Sequence, residues 1–189
     1  MAVAIRILGI DPGLGRMGWG IIDMAGSRLH HVAHGVFTSD PKTELAARLM
    51  VLHRLLEAVI AEHRPAAISV EQAFVAKDPS AALKLGHARA IALLAAAQAG
   101  LQIAEYAPNH IKKCVVGVGH AQKPQVLAMI RRLLPTAQVD AFDAADALAC
   151  AIAHAHLSGT QARIMGALAG EVEAGSPSAR ATNKKVAMT

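Results

Sequence analysis

The stretch ILGIDPGLGRMGWGII, residues 7–22, joins two apolar runs through a single aspartate and a glycine-rich turn. Asp11 ends the first run, and Pro12 and Gly13 follow it directly. Because aspartate is depleted in strands, a carboxylate at the end of a buried strand is expected either to cap a turn or to take part in chemistry. The rest of the chain decides between these two roles.

Composition predicts one globular domain with a short appendage. The chain has 189 residues, of which 53 % are hydrophobic, enough to bury a core. No uncharged apolar run approaches the roughly 18 residues of a membrane span, and the first residues do not resemble a signal peptide. Two cysteines, Cys114 and Cys150, make no disulfide framework, lie among apolar residues and fit a reducing cytoplasm. The net charge of +5 favours an anionic partner.

Hydrophobic periodicity predicts three strands in succession, followed by helices alternating with strands. Strands are predicted at residues 4–10, 17–23, 29–37, 66–70 and 102–107. Helices are predicted from Asp40 and Pro41 to before Pro65, from Asp78 to about Gly100, from a cap at Asn109 to near Gly117, over 124–134, and from Asp140 to about Leu157. This order predicts an α/β fold, a mixed five-stranded sheet with helices on both faces. The composition from about Glu171 predicts a flexible tail.

A second carboxylate, Glu71, also ends a predicted strand. If its strand and the first strand are parallel neighbours, Asp11 and Glu71 emerge at one sheet edge, where open α/β folds bind ligands. The last predicted helix adds Asp143 and Asp146, which share a helix face near its first turn. Capping explains one aspartate here, and Asp140 is the candidate for it.

Four carboxylates gathered in this way predict a cation site. Like charges at short distance repel unless a cation joins them. Oxygen donors without His or Cys at ligand spacing suit Mg²⁺ or Mn²⁺ better than zinc. A pair of such ions about 4 Å apart is the usual device for hydrolysing a phosphodiester.

The order of these residues resembles the RuvC-type Holliday-junction resolvases, which have a ribonuclease-H-like fold. The resemblance is carried by ILGIDPG, VEQAFVAKD, AALKLGHARA, EYAPNHIKKCVVGVGHAQK and DAADALACAIAHAH, which span residues 7–156 in the family's order. It implies a nuclease domain over residues 1–158 and an extension over 159–189. It also implies a dimeric endonuclease of recombination and repair, which nicks two strands of like polarity across a four-way DNA junction.

The resemblance assigns roles by position in this sequence. It implies two Mg²⁺ ions, replaceable by Mn²⁺, on Asp11, Glu71, Asp143 and Asp146, with Lys123 as a further catalytic residue. Its implied DNA contacts are Phe74, Lys77, Lys84, Lys112 and Lys123. The RuvA and RuvB branch-migration proteins are implied as partners.

Other interpretations of single features stay open at this point. Phe74 could belong to the core rather than stack on bases, and Lys112 could simply solvate a helix face. The second predicted helix is apolar almost all round, so it needs cover on more than one side. A two-fold dimer interface supplies that cover, and deep burial within one chain is the alternative.

Two other classes of function share some of these features. An actin-like kinase or ATPase also begins with a Gly-Ile-Asp turn, but it needs a second phosphate loop and a second subdomain, for which this chain is too short. A non-catalytic junction-binding protein accounts for the charge and the dimer. It leaves four carboxylates ordered for a metal unexplained.

Overall fold

The structure, a computed structural model, describes residues 4–72 and 78–174, with side chains to residue 159. The strands are β1 (Ile5–Asp11), β2 (Arg16–Ala25), β3 (Arg28–Thr38), β4 (Ala67–Glu71) and β5 (Gln102–Tyr106). The helices are α1 (Leu45–His63), α2 (Pro79–Gln98), α3 (Pro108–Val116), α4 (Lys123–Leu133) and α5 (Phe142–Ala174). The predicted order of elements is confirmed.

The five strands form one mixed sheet in the order β3-β2-β1-β4-β5. The first three strands pair antiparallel, whereas β1 with β4 and β4 with β5 pair parallel. In the β1–β4 register, Ile10 lies beside Val70, so the next residues, Asp11 and Glu71, leave the sheet together. The prediction that these two strands are parallel neighbours is confirmed.

Helices cover both faces of the sheet. The core beneath α3, α4 and α5 includes Ile7 and Ile22, whereas the core beneath α1 and α2 includes Leu8 and Ile21. Because successive strand side chains point to opposite faces, the middle parts of β1 and β2 are apolar on both sides, at Ile7 and Leu8 and at Ile21 and Ile22. This is why they read as continuous hydrophobic runs rather than as alternating ones.

Three glycines on one face of the sheet let α5 approach the strands closely. A Cβ atom on Gly9 would overlap the carbonyl oxygen of Ala147 and lie 2.7 Å from the backbone nitrogen of Ala151. A Cβ atom on Gly18 would overlap the carbonyl oxygen of Asp143, and one on Gly20 would lie 2.6 Å from the Leu148 side chain. The absence of side chains at these positions therefore fixes how near the acidic turn of α5 lies to β1 and β2.

Two helix starts differ from the sequence prediction. The helix predicted to begin at Asp40 begins at Leu45, because Asp40 forms a separate turn and accepts a 2.8 Å hydrogen bond from the backbone N–H of Lys42. The helix predicted to be capped by Asn109 begins at Pro108, and Ala107 takes the cap position without a side-chain bond. Proline suits a first helical position because its missing N–H would be unsatisfied there anyway.

The acidic helix also differs at both ends. Its first backbone hydrogen bond runs from the N–H of Ala145 to the carbonyl of Ala141, so Ala141, not Asp140, takes the cap position. Asp140 is highly exposed and pairs instead with Arg131 at 3.0 Å. The predicted end near Leu157 is wrong, since α5 continues through Gly159, Gly166 and Gly170 to Ala174. Most of the predicted flexible tail lies outside the described residues.

In the described part of the chain, the helices are too short or too polar for any of them to cross a membrane.

An ion pair joins the first two strands at the end of the sheet remote from Asp11. Arg6 donates to both carboxylate oxygens of Asp23 at 2.8 Å and to the carbonyl of His63, the last residue of α1, at 3.0 Å. Hydrogen bonding to Arg6 lowers the pKa of Asp23 below its ordinary value of 3.8. The pair therefore ties α1 to the sheet while Asp23 is ionised.

We expect Asp23→Asn to lower the free energy of unfolding by about 1 kcal/mol at pH 7, a modest value because both side chains are partly exposed. The pKa of Asp23 is lowered by folding, so its contribution is present above the unfolded pKa and is lost as the pH falls through the folded one. Denaturant melts of both proteins should therefore differ at pH 7, and the difference should shrink as the pH falls below the unfolded pKa of about 3.9. A difference that stays constant as acid is added would contradict the assignment.

Candidate functional site

Two carboxylates reach the site from the ends of adjacent strands. Asp11 ends β1 and Glu71 ends β4, and the parallel register sets them side by side. The buried Ser69, two residues before Glu71, donates to the carbonyl oxygen of Cys150 at 3.0 Å. This bond ties β4 to α5, the element that supplies the other two carboxylates.

The first turn of α5 places Asp143 and Asp146 above the same sheet edge. Both are half-buried and lie on one face of the helix, as their spacing predicted. Gly18 pairs with Asp11 in the β1–β2 register and lies against the backbone of Asp143. The close approach at Gly18 thus brings the helix carboxylates towards the strand carboxylates.

The carboxylates open into a shallow depression of about 240 Å³. Its walls combine three acidic side chains, two basic side chains and three apolar residues. The lining residues are Asp11, Glu71, Asp146, Lys112, Lys123, Pro12, Leu85 and Pro108. Acidic and basic groups face one small open cleft. The cleft therefore suits an anionic ligand that contacts the lysines directly and the carboxylates through bound cations.

Burial and mutual repulsion perturb the two strand carboxylates. Burial first, and then the charges of Glu71 and Asp146, raise the pKa of Asp11 to about 8. Burial also raises the pKa of Glu71, while Lys112 and Lys123 oppose that rise. A hydrogen bond between the two side chains raises the pKa of Asp11 further and, like the lysines, opposes the rise at Glu71.

Cations neutralise the two helix carboxylates. Lys123 Nζ lies 3.4 Å from Asp146 Oδ2, and Arg16 Nε lies 2.7 Å from Asp143 Oδ2. Burial raises the pKa of Asp146, and Lys123 opposes the rise. For Lys123 itself, burial lowers the pKa, but the charge of Asp146 and the hydrogen bond to it, together with the charges of Asp11 and Asp143, leave the pKa raised.

The four carboxylates are chemically suited to a hard divalent cation, but their arrangement in this structure is not that of a formed metal site. Carboxylate oxygens are the ligands that Mg²⁺ and Mn²⁺ prefer. Within residues 4–72 and 78–174, however, no group of three or more His, Cys, Asp or Glu side chains is set to hold a metal ion. Two of the four carboxylates are already engaged by Arg16 and Lys123. A bound ion would therefore compete with Arg16 and Lys123 for these carboxylates.

The other predicted site residues fall into three groups. Lys112 is half-buried and lines the depression, whereas Lys84 is exposed on α2 and is not among the lining residues. Phe74 and Lys77 lie outside the described residues.

Cys150 is fully buried, and burial raises the pKa of its thiol, but Cys114 is only half-buried.

Sequence reasoning missed Arg16 and the glycines that position α5. Arg16 lies inside the first quoted stretch, but its partner Asp143 is 127 residues away, so no local pattern indicates the pair. A signal for the close approach was present, since Gly18 and Gly20 alternate along one face of β2.

Comparisons with known proteins agree with this geometry. The family model described as crossover junction endodeoxyribonuclease RuvC matches residues 7–154. A curated relative of that name from Parvibaculum lavamentivorans is 57 % identical over 168 residues, covering 89 % of this chain and 96 % of the relative. This chain belongs to the RuvC family. A second RuvC relative, from Brucella anthropi, is 55 % identical over 156 residues, covering 82 % and 91 %.

Solved RuvC structures share the fold. T. thermophilus RuvC in complex with Holliday junction substrate matches with a TM-score of 0.78 and 30 % identity, covering 83 % of this chain and 96 % of that one. The yeast mitochondrial Holliday junction resolvase Ydc2 matches with a TM-score of 0.63 and 14 % identity, covering 90 % and 87 %. At that identity, Ydc2 supports the fold alone.

Proposed function

We propose that this RuvC-family chain resolves Holliday junctions, as a Mg²⁺-dependent endonuclease that nicks two strands of like polarity in recombination and repair. The observation that carries the proposal is the meeting of Asp11 and Glu71 with Asp143 and Asp146 at one edge of the sheet. A site that only bound DNA would have no use for four carboxylates facing phosphates, since they repel the ligand.

The four carboxylates would hold two Mg²⁺ ions, or Mn²⁺ in their place. When bound, such ions activate a water molecule and stabilise the oxygen that leaves the phosphorus. The chain's own lysines serve the substrate: Lys112 and Lys123 line the depression and offer positive charge to the phosphate. We assign Phe74, Lys77 and Lys84 to the DNA interface from the family resemblance, with Phe74 stacking on bases near the crossover.

A synthetic four-way junction tests this function directly. We expect paired, symmetric nicks on the junction with Mg²⁺, little cutting of a linear duplex of the same sequence, and no cutting with chelator. Gel analysis of strands labelled singly at each 5′ end shows which strands are cut. Tight binding to the junction without any nicks, in Mg²⁺ and in Mn²⁺, would favour the non-catalytic junction-binding protein instead.

The exposed apolar side of α2 supports a homodimer. One side of α2 packs on the core through Ala88 and Ala92, so it is buried. The other side leaves Leu83 and Leu94 66 % and 50 % exposed, so the described part of the chain does not bury the whole helix. Beside Leu94 lies an apolar groove shared with α1. A second copy on this face would pair two sites across a two-fold axis, matching a junction with two equivalent strands.

We expect Leu94→Glu to convert the dimer to a monomer at micromolar concentration, because a charge would replace an apolar contact at the interface. Sedimentation equilibrium measures the mass, and Ile5→Glu is the matched control, since Ile5 is 43 % exposed at the start of β1. Circular dichroism checks that both variants stay folded. A Leu94→Glu protein that keeps the wild-type mass would place the interface elsewhere. The RuvA and RuvB partners stay a prediction from the family resemblance.

A further inference from the structure

Arg16 contacts the site from outside the set of residues that the family resemblance assigns. It begins β2, its side chain is 58 % exposed, and its Nε donates to Asp143 Oδ2 at 2.7 Å. The partner carboxylate is 23 % exposed, so the pair lies at the rim of the site. An ion pair between an arginine and a carboxylate that a metal ion needs is either a permanent structural contact or one that the metal ion can displace.

The geometry favours a replaceable tie. In the pair that fastens β1 to β2, Arg6 uses three nitrogens, two on Asp23 and one on the carbonyl of His63. Within the described part of the chain, the hydrogen bond recorded for Arg16 is made by Nε alone. Exposed pairs of this kind are weak. A divalent cation can therefore displace the guanidinium at little cost.

Charge balance explains why such a tie exists. Without a metal, basic side chains pair with the two helix carboxylates: Arg16 with Asp143 and Lys123 with Asp146. The Arg16 pair keeps Asp143 near the site while no cation is bound.

Resting on the proposed function, we propose that Arg16 is a positioning residue that holds Asp143 in the metal-free protein, yields it to a divalent cation, and then binds a phosphate of the DNA backbone. Released from Asp143, the guanidinium lies at the mouth of a site that receives a phosphodiester. Its planar fork matches two phosphate oxygens, a geometry that lysine does not offer.

Metal binding without DNA is the first test. Calorimetric titration of the full-length protein with MgCl₂ compares the wild type, Arg16→Gln and Arg131→Gln. Arg131 is the matched control, because it pairs with another aspartate, Asp140, which lies just before α5 and outside the site. We expect the Mg²⁺ dissociation constant to fall about two- to fivefold in Arg16→Gln, the range that loss of one competing exposed pair implies, and to stay unchanged in the control.

The salt dependence of junction binding is the second test. With Ca²⁺ present, the slope of log affinity against log salt should be about one unit shallower for Arg16→Gln than for the wild type, and Arg16→Lys should restore it. With chelator, the slopes of wild type and Arg16→Gln should agree, because Arg16 is then engaged by Asp143.

Three outcomes would overturn the proposal. Mg²⁺ affinity that is unchanged or weakened in Arg16→Gln would make the pair a structural tie. A slope difference that is the same with and without metal would make Arg16 a plain DNA contact. A wild type that binds no Mg²⁺ would end this proposal together with metal-dependent cleavage. In the first two cases, a wild type that still nicks the junction leaves the proposed function intact.

Discussion

Junction cleavage by Asp11→Asn is expected to fall by at least about 1000-fold, because loss of one ligand from the cation site removes several kcal/mol of transition-state stabilisation. We expect Asp11 to lie at the centre of the site. Its pKa is raised by burial and by the charges of Glu71, Asp146 and Asp143, so it lies within reach of all three. Single-turnover cleavage of a labelled junction measures the rate.

Stability measurements separate this effect from unfolding. Without divalent ions, the melting temperature of Asp11→Asn should equal or exceed that of the wild type, because a buried carboxyl group among like charges is removed. With Mg²⁺ at about ten times its dissociation constant, the wild type should gain about 1.4 kcal/mol and the variant much less. Asp140→Asn is the matched control, since Asp140 is highly exposed and outside the site. Equal Mg²⁺ gains in Asp11→Asn and wild type would show that Asp11 holds no metal.

Gly9→Ala is expected to lower the free energy of unfolding by about 3 kcal/mol and to abolish junction cleavage. The new methyl group would overlap the carbonyl oxygen of Ala147 and lie 2.7 Å from the nitrogen of Ala151, both backbone atoms of α5. Backbone in the middle of a helix cannot step aside as a flexible side chain can. The helix must lift away from β1, and Asp143 and Asp146 move with it.

Gly86→Ala is the control for this prediction. A Cβ atom on Gly86 meets no atom within 4 Å, and alanine favours a helix more than glycine does. We expect it to keep or raise the stability, by up to about 1 kcal/mol. Thermal melts and junction-cleavage assays of both variants test the predicted differences in stability and activity. A Gly9→Ala protein as stable and as active as Gly86→Ala would mean that α5 does not rest on the sheet as described.

The parts of the fold and site that the sequence predicted correctly are those that depend on local signals. Strands 17–23 and 29–37 were predicted within two residues of β2 and β3, because hydrophobic runs and turn residues are local signals. The positions of Asp11 and Glu71 at strand ends followed from the same signals. Helix ends were less accurate, since Asp40 and Asp140 are good cap residues that the structure uses in a turn and in an ion pair.

By itself, the sequence determined the order of the elements, the mixed sheet and the four carboxylates that end two strands and begin the last helix. Each of these depends on residues that are neighbours in the chain. Only the tertiary structure decided how deep α5 sits on Gly9 and Gly18, that Arg16 meets Asp143, and that the described residues leave one side of α2 uncovered. These features depend on distances between elements far apart in sequence, which are set by packing and charge pairing after the elements have formed.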